Sequence, residues 1–277
     1  YIEALPFDDA KSFLLRYGKI LVTNFPERTT KLLISLCVGY KPKPKKNNKE
    51  QQQQQPQAAT EREILERAKG ELYIQCFADK KPFLLHFLEA ITMKVMDYSS
   101  IIGNTLIELY LDATEVKEVG KQSYIIDQNK KLAKLQEKKA SNNNSKQQAI
   151  DSSQKKGEAE DDDEQQDDQE DEDEDIEEKE RILQKHFQHN LGALQHDIQE
   201  LQDKTIHFLK NRDAKYNDRH ALVLVQSHNF KPGILYMYEK LGLHHDIINY
   251  YMDIGDHKEV IEACKQYANK PGDSQNM

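Results

Sequence analysis

Histidine is the residue type whose spacing in this chain comes nearest to a chemical site. Nine of the ten histidines lie after residue 180. His186 and His189 are three residues apart, so on a helix both imidazoles can face one side, as a metal site requires. Their sequence neighbours are Gln, Asn and Phe, whereas a metal ion needs carboxylate or thiolate partners at matching spacing. We therefore favour solvent-facing or interhelical histidines and predict no metal site.

The other reactive residue types also lack a catalytic context. Cys37, Cys76 and Cys264 are scattered, and no two of them have the spacing of a zinc site. Each lies among apolar residues, so we predict buried free thiols in a reducing compartment. The glycines are isolated rather than clustered in a phosphate-binding loop, and no serine stands in a nucleophile elbow. We predict a protein that is not an enzyme and has no cofactor.

Charge is concentrated in one tract. The stretch from Glu158 to Glu180 holds 17 acidic residues and one lysine, a net charge of −16, while the whole chain carries −9. The remaining residues therefore sum to +7. Carboxylates at this density repel one another, so we predict that residues 140–178 are a disordered insertion. Such a tract can bind basic proteins or divalent cations, but we favour an insertion tolerated in a surface loop, because long loops cost little stability.

A second low-complexity stretch covers residues 41–62, where Lys and Pro alternate before a run of Gln. It cannot bury enough apolar surface to offset the entropy of ordering, so we predict a disordered loop. Its lysines are not interleaved with aromatic residues, and for that reason we predict no nucleic-acid binding.

The strongest periodicity lies between residues 218 and 268. Four short amphipathic segments start at Asp218, Lys231, Leu243 and Asp256, with apolar residues spaced three or four apart. The first and third starts are 25 residues apart, as are the second and fourth. Segments this short are not stable alone and must pack on a neighbouring hairpin. The spacing predicts an all-α fold, an α-solenoid of stacked helical hairpins with two disordered low-complexity insertions.

Helix start and stop signals agree with this interpretation. Pro232 stands in a first turn, Gly242 and Gly255 follow predicted helix ends, and Asp256 precedes Glu259 by three residues in the capping-box pattern. No apolar run reaches the roughly 18 residues that span a bilayer, so we predict no transmembrane segment.

The predicted organisation has five parts. They are a first hairpin (1–40), the Lys/Pro/Gln-rich loop (41–62), solenoid helices (63–139), the Asn/Ser-rich and then acidic insertion (140–178) and further helical repeats (179–277). The expected helices are 7–23, one from Pro26, 63–77, one from Pro82, 98–112, 115–139 and 176–211.

Tyrosine supplies the candidate binding residues. Tyr236, Tyr238, Tyr250 and Tyr251 lie two to a helix within one repeat. Tyrosine anchors protein interfaces well, so these four are candidate partner-interface residues. The alternative, which we favour, is that the rings fill the space between stacked helices with their hydroxyls at the rim.

Three stretches carry a family resemblance. They are RYGKILVTNFPERTTKLLISLC at 16–37, CFADKKPFLLHFLEAI at 76–91 and ALVLVQSHNFKPGILYMYEKLGLHHDIINYYMDIGDHKEVIEAC at 221–264. They resemble the vacuolar protein sorting-associated protein 11 family, the last one its clathrin-heavy-chain-type repeats. The chain starts at Tyr1 and ends shortly after Pro271, which we interpret as an excerpt of a longer protein.

The resemblance implies a scaffold in a core subunit shared by the HOPS and CORVET membrane-tethering complexes. It implies other class C vacuolar protein-sorting subunits as partners, Rab GTPases and SNAREs as indirect partners, and a place on the cytoplasmic face of endosomal and vacuolar or lysosomal membranes. That family also has a β-propeller and a zinc-binding RING, and no Cys/His zinc array occurs in this chain. The rival hypothesis is an acidic-tract chaperone or adaptor whose helical-repeat body carries a tract for basic clients.

Overall fold

The computed structural model describes residues 2–41, 67–153 and 164–267, with side chains at 2–41, 67–141 and 176–267. Every regular element in these ranges is helical. Two 3₁₀ helices span Ile2–Ala4 and Gly70–Phe77. The α-helices are α1 (Phe7–Asn24), α2 (Pro26–Val38), α3 (Lys81–Lys94), α4 (Ser100–Ser153), α5 (Glu164–Lys210), α6 (Asp218–Ser227), α7 (Lys231–Lys240), α8 (His244–Asp253) and α9 (His257–Tyr267).

The chain divides into two compact units. One consists of Tyr1–Asp112 and Asp203–Met277, and we call it the solenoid unit. The other consists of Ala113–Gln202, and we call it the long-hairpin unit. Within the described ranges, no helix combines membrane-spanning length with enough apolar character to cross a bilayer.

The solenoid unit begins with the predicted hairpin of α1 and α2. Leu14, Gly18 and Val22 form part of the buried face of α1, and Pro26 stands at the first turn of α2, where its missing N–H has no cost. Ala10 lies one turn earlier on the same buried face, whereas Leu15, next to Leu14 in the sequence, is exposed.

Helices α6 to α9 form a regular repeat. They begin at residues 218, 231, 244 and 257, so successive starts are 13 residues apart and the two-helix repeat is 26 residues long, not 25. Asn229, Gly242 and Gly255 follow the ends of α6, α7 and α8, and each has a positive φ, of 49°, 72° and 73°. This left-handed residue closes each helix and turns the chain into the next one.

One buried cluster joins parts of the chain that are distant in sequence. Its members are Ile107 and Leu111 of α4, Leu209 of α5, Ala221 and Val225 of α6, and Phe230, Ile234 and Met237 at α7. We call it the junction cluster. Since α6 and α7 bury their apolar faces against α4 and α5, the repeat is supported by helices outside it, as expected of a solenoid.

The helix predicted for 63–77 is wrong. A 3₁₀ helix, Gly70–Phe77, occupies the second half, and 67–69 have no regular structure, whereas 63–66 lie outside the described residues. Tertiary packing overrides the periodicity here. The Ala68 N–H donates to the Leu36 carbonyl at 3.0 Å, and a Cβ on Gly70 would lie 2.6 Å from Cδ1 of Ile91.

The predicted boundaries around the insertion also differ from the structure. The separate helices expected at 98–112 and 115–139 are one helix, α4, which continues to Ser153. Residues 140–153 and 164–178, which belong to the stretch predicted to be disordered, are helical, as the last turns of α4 and the first turns of α5. Glu and Gln, which make up most of 164–178, are good helix formers, and carboxylates are favoured near a helix N-terminus, which counteracts the repulsion. Residues 154–163 and nearly all of the predicted loop 41–62 lie outside the described residues.

The cysteine prediction is right for two residues and wrong for one. Cys37 and Cys76 are buried, whereas Cys264 is exposed, because the buried residue of α9 is Ala263 one position earlier. Burial, followed by the nearby Glu71 carboxylate, raises the pKa of the Cys37 thiol to about 12. Burial also raises the pKa of the Cys76 thiol.

We expect a thiol reagent at neutral pH to modify Cys264 rapidly and to leave Cys37 and Cys76 unmodified until the chain unfolds. The attacking species is the thiolate, and both buried sites disfavour it. Mass spectrometry after a short treatment with N-ethylmaleimide should show one adduct, and treatment in urea should show three. Two or three rapid adducts on the folded chain would contradict the packing around α2.

Candidate partner-binding surface

The four predicted interface tyrosines lie on α7 and α8 of the solenoid unit, and all four are half-buried. Tyr236, Tyr238 and Tyr250 pack against the junction cluster. Tyr251 meets Tyr250 edge-on, with ring centroids 5.9 Å apart. Three of the rings therefore pack between helices, and the role of all four tyrosines at a partner interface stays a prediction.

The hydroxyls of these tyrosines differ in their surroundings. The Tyr238 hydroxyl accepts a hydrogen bond from Gln226 Nε2 at 2.9 Å, which links α7 to α6. The Tyr250 hydroxyl is buried without a hydrogen-bond partner among the described residues. Lys210 Nζ lies 5.9 Å from the centroid of the Tyr236 ring, a weak cation–π contact. Only part of each ring remains available for a partner.

Tyrosine hydroxyls elsewhere in the solenoid unit connect separate elements. The Tyr40 hydroxyl donates to the carbonyl of Ile2 at 2.9 Å, which ties the end of the first hairpin to the start of the chain. The Tyr110 hydroxyl of α4 donates to Glu89 Oε1 of α3 at 2.8 Å. Sequence reasoning did not identify these pairs, since no local pattern marks the partner of a hydroxyl.

A close contact between distant segments joins the start of α4 to residues 215–217. The Lys215 N–H donates to the Tyr98 hydroxyl at 3.1 Å, and the Asn217 N–H donates to Asn104 Oδ1 at 2.9 Å. Lys215 also forms an ion pair with Asp97. A Cβ on Gly103 would lie 2.0 Å from the Lys215 carbonyl oxygen, so only glycine permits the approach. We call these contacts the Gly103 clamp.

A second connection holds α6 and α7 together. Lys240 Nζ, at the end of α7, lies 2.7 Å from Asp218 Oδ1 and 2.9 Å from the Tyr216 hydroxyl oxygen. The same ammonium group lies 4.3 Å from the centroid of the Tyr216 ring. The Tyr216 hydroxyl donates to the Leu209 carbonyl, which extends the network to α5. Polar contacts as well as apolar packing therefore connect α5, α6 and α7.

The stability of the solenoid unit is predicted to depend on pH because two of its tyrosines are buried. They are Tyr73, in the 3₁₀ helix Gly70–Phe77, and Tyr110 of α4. Burial raises the pKa of Tyr73, and burial followed by the hydrogen bond to Glu89 raises the pKa of Tyr110. A raised pKa in the folded state means that the neutral phenol stabilises folding below the unfolded value of about 10, and that this contribution is lost as the pH rises above it.

We therefore expect the free energy of unfolding to fall as the pH is raised above about 10. Tyrosinate absorbance should rise at higher pH in the folded chain than in the same chain in urea. Superimposable titration curves in the two conditions would show that the phenols are not buried as described.

The long-hairpin unit is an antiparallel pair formed by α4 and α5. Lys117 pairs with Asp197 at 2.7 Å, while Lys139, farther along α4, pairs with Glu177 at 2.5 Å. The direction of the pairing follows, since residue numbers rise on one helix as they fall on the other. Half-buried positions recur every three or four residues, at 117, 121, 124, 128, 132, 135 and 139 on α4 and at 180, 183, 187, 191 and 194 on α5. This is coiled-coil spacing.

The predicted histidine pair lies in this unit and does not converge on a site. His186 borders a groove of about 400 Å³ with Tyr124, Lys131 and Lys179 among its lining residues, and His189 is exposed outside it. Among the described residues, no three side chains of His, Cys, Asp or Glu are grouped so as to hold a metal ion.

Comparison with known proteins gives one family. The family model described as "PEP5/VPS11 Clathrin repeat" matches residues 1–156 and 166–274. No solved structure matches the chain.

Curated relatives agree with that match. The chain is 27% identical over 305 residues to a vacuolar protein sorting-associated protein 11 homolog of Dictyostelium discoideum, with 98% of this chain and 24% of the relative covered. A human homolog of the same name is 26% identical, with 96% of this chain and 19% of the relative covered. An Arabidopsis thaliana homolog is 25% identical, with 99% and 25% covered. The chain thus spans a quarter or less of the length of these relatives.

Proposed function

The chain belongs to the PEP5/VPS11 clathrin-repeat family, and from that premise we propose that it is a non-catalytic scaffold segment of a membrane-tethering subunit. In this proposal the subunit belongs to the HOPS and CORVET complexes and acts when vesicles or endosomes fuse with the vacuole or lysosome. Its direct partners are other class C vacuolar protein-sorting subunits, and Rab GTPases and SNAREs are reached through them. The complex is peripheral to the cytoplasmic face of the membrane.

The observation that carries the proposal is the agreement between the family match and the way the helices are joined. The match covers nearly the whole chain. Within the solenoid unit, the junction cluster and the Gly103 clamp connect residues more than 100 positions apart in sequence. Contacts of this kind resist bending between neighbouring hairpins, which supports a role in holding partners at a fixed separation.

Because the chain contains the acidic tract, an acidic-tract chaperone is the second candidate function. A deletion of the tract distinguishes the scaffold proposal from the chaperone hypothesis. Lys139 and Glu177 are paired across the long hairpin, so the ends left by removing residues 140–178 lie side by side and a short glycine linker can join them. A second variant keeps the length but replaces the acidic residues from 158 to 178 by Gln or Asn.

We expect both variants, expressed with an affinity tag, to retain the class C sorting subunits at the level of the unaltered protein. A scaffold that binds through its solenoid does not need the tract, whereas a chaperone would lose basic clients in both variants. Quantitative mass spectrometry of the purified material distinguishes the outcomes. Loss of the sorting subunits in both variants would contradict the scaffold proposal, and so would their absence from the unaltered protein.

A further inference from the structure

The outer face of α4 in the long-hairpin unit carries apolar residues that no described residue of the unit covers. Val116, Val119 and Ile126 are 72%, 64% and 54% exposed. With Ser123 they lie within about 80° of one another around the helix, at 3.6 residues per turn. We call these four residues the outer stripe. The centre of the inner face, which meets α5, is about 160° around the helix from the centre of the outer stripe.

A free-standing hairpin does not need apolar residues on its outer face. The inner face of α4 carries Tyr124, Leu132 and Leu135 between polar residues such as Lys117. The aliphatic side chains of the outer stripe are additional to these, and they point outward. In an amphipathic helix the apolar stripe normally faces the structure that buries it. The sequence of α4 is therefore patterned for two neighbours, α5 on one side and a second element on the other.

Gly120 gives an independent indication of the same kind. It lies beside the outer stripe, one turn after Val116, and a Cβ there would meet no atom within 4 Å. Glycine in a helix interior is unfavourable, and none of the described residues of this unit requires it at position 120. A missing side chain next to an exposed apolar stripe allows the backbone of another helix to approach closely.

Charge identifies the kind of partner. The line of the outer stripe continues along α4 to Lys130 and Lys134, which are both exposed. Between residues 130 and 138 there are four lysines and one acidic residue, Glu137. The face is thus apolar over about 15 Å, at 1.5 Å per residue, and then basic. A complementary surface would be apolar and then acidic.

We propose that the outer stripe and the adjacent Lys130 and Lys134 bind an amphipathic helix of a partner protein, antiparallel to α4. Its first two turns carry carboxylates that face the two lysines, and its following turns carry aliphatic residues that cover the outer stripe. The antiparallel direction also places these carboxylates at the positive end of the partner's helix dipole. The inference deepens the proposed scaffold function, on which it rests, by assigning one face and one partner chemistry.

The test uses the full chain and three synthetic helical peptides of equal length, labelled for fluorescence anisotropy. One has two turns of glutamates followed by a leucine stripe, the second has lysines in place of the glutamates, and the third has serines in place of the leucines. We expect saturable binding of the first, at least tenfold weaker binding of the other two, and weaker binding of the first at high salt.

Three variants locate the binding. Val119→Asp should weaken binding of the glutamate peptide at least tenfold. The double substitution Lys130→Glu with Lys134→Glu should do the same and should improve binding of the lysine peptide. Gln136→Asp adds a carboxylate to an exposed position away from the outer stripe and serves as the matched control, with an expected change below twofold.

Equal binding of the glutamate and lysine peptides, no saturable binding, or an unchanged affinity after Val119→Asp would overturn the inference. Val119 is exposed, so its substitution leaves the hairpin interior intact, and circular dichroism of each variant verifies this. The peptides are tested on the purified chain, whereas the scaffold proposal is tested by recovery of sorting subunits. The inference can therefore fail while those subunits are still recovered, and the two failures are distinguishable.

Discussion

Replacement of Gly103 by alanine is expected to lower the free energy of unfolding of the solenoid unit by about 3 kcal/mol. The added Cβ would lie 2.0 Å from the carbonyl oxygen of Lys215, and backbone cannot move aside as a side chain can. The clamp must open to admit the methyl group, which also breaks the hydrogen bond from the Lys215 N–H to Tyr98. Urea unfolding followed by circular dichroism measures the loss.

Gly120→Ala is the matched control, since it is the same substitution in the same helix. A Cβ at Gly120 meets nothing within 4 Å, so the usual helix preference should prevail and raise stability by roughly 0.5–1 kcal/mol. The two substitutions are therefore expected to have opposite signs. A Gly103→Ala chain as stable as the parent would show that α4 and residues 215–217 are not in contact as described.

Phe230→Ala is expected to destabilise the solenoid unit by about 3–5 kcal/mol, the range for removing a buried phenylalanine ring. Phe230 is only 6% exposed and belongs to the junction cluster between α4, α5, α6 and α7. Its ring packs directly over Gly233, where an added Cβ would lie 2.5 Å from a carbon of the ring. Because the surroundings of the ring are packed this closely, neighbouring atoms have little freedom to fill the cavity that the alanine substitution would leave.

Phe25→Ala provides the comparison for this second substitution. Phe25 lies between α1 and α2 and is 59% exposed. Surface substitutions of this kind typically change stability by less than about 0.5 kcal/mol. Equal effects of Phe25→Ala and Phe230→Ala in urea unfolding would mean that the junction cluster is not the core of the unit.

The local signals in the sequence were sufficient to predict the regular repeat. Pro26 begins α2, Asp256 accepts a hydrogen bond from the Glu259 N–H at 3.2 Å, and Gly242 and Gly255 end α7 and α8. The physical causes of these features lie within a few residues of each other. The repeat length was short by one residue because Leu243 and Asp256 precede the helices rather than begin them.

Features that depend on distant partners were not predictable from the sequence. The Gly103 clamp joins residues more than 100 positions apart, and nothing near Gly103 indicates a contact with Lys215. The length of α4 was also missed, since beyond residue 113 its inner face is partly polar and several of its apolar residues lie on the outer side. The helices that hold the four candidate tyrosines were predictable, but the burial of the Tyr236, Tyr238 and Tyr250 rings depends on the junction cluster.

Hydrogen exchange on the intact chain, compared between the parent and Phe230→Ala, tests most directly whether the helices depend on their neighbours. Helices α6, α7 and α8 and residues 203–210 of α5 all contact the junction cluster or its surroundings. We predict that their amides lose protection together, while the distant α1 and α2 keep theirs, as nearest-neighbour coupling in a solenoid requires. Loss confined to α7, with α6 and α8 unchanged, would contradict the account of a continuous stack.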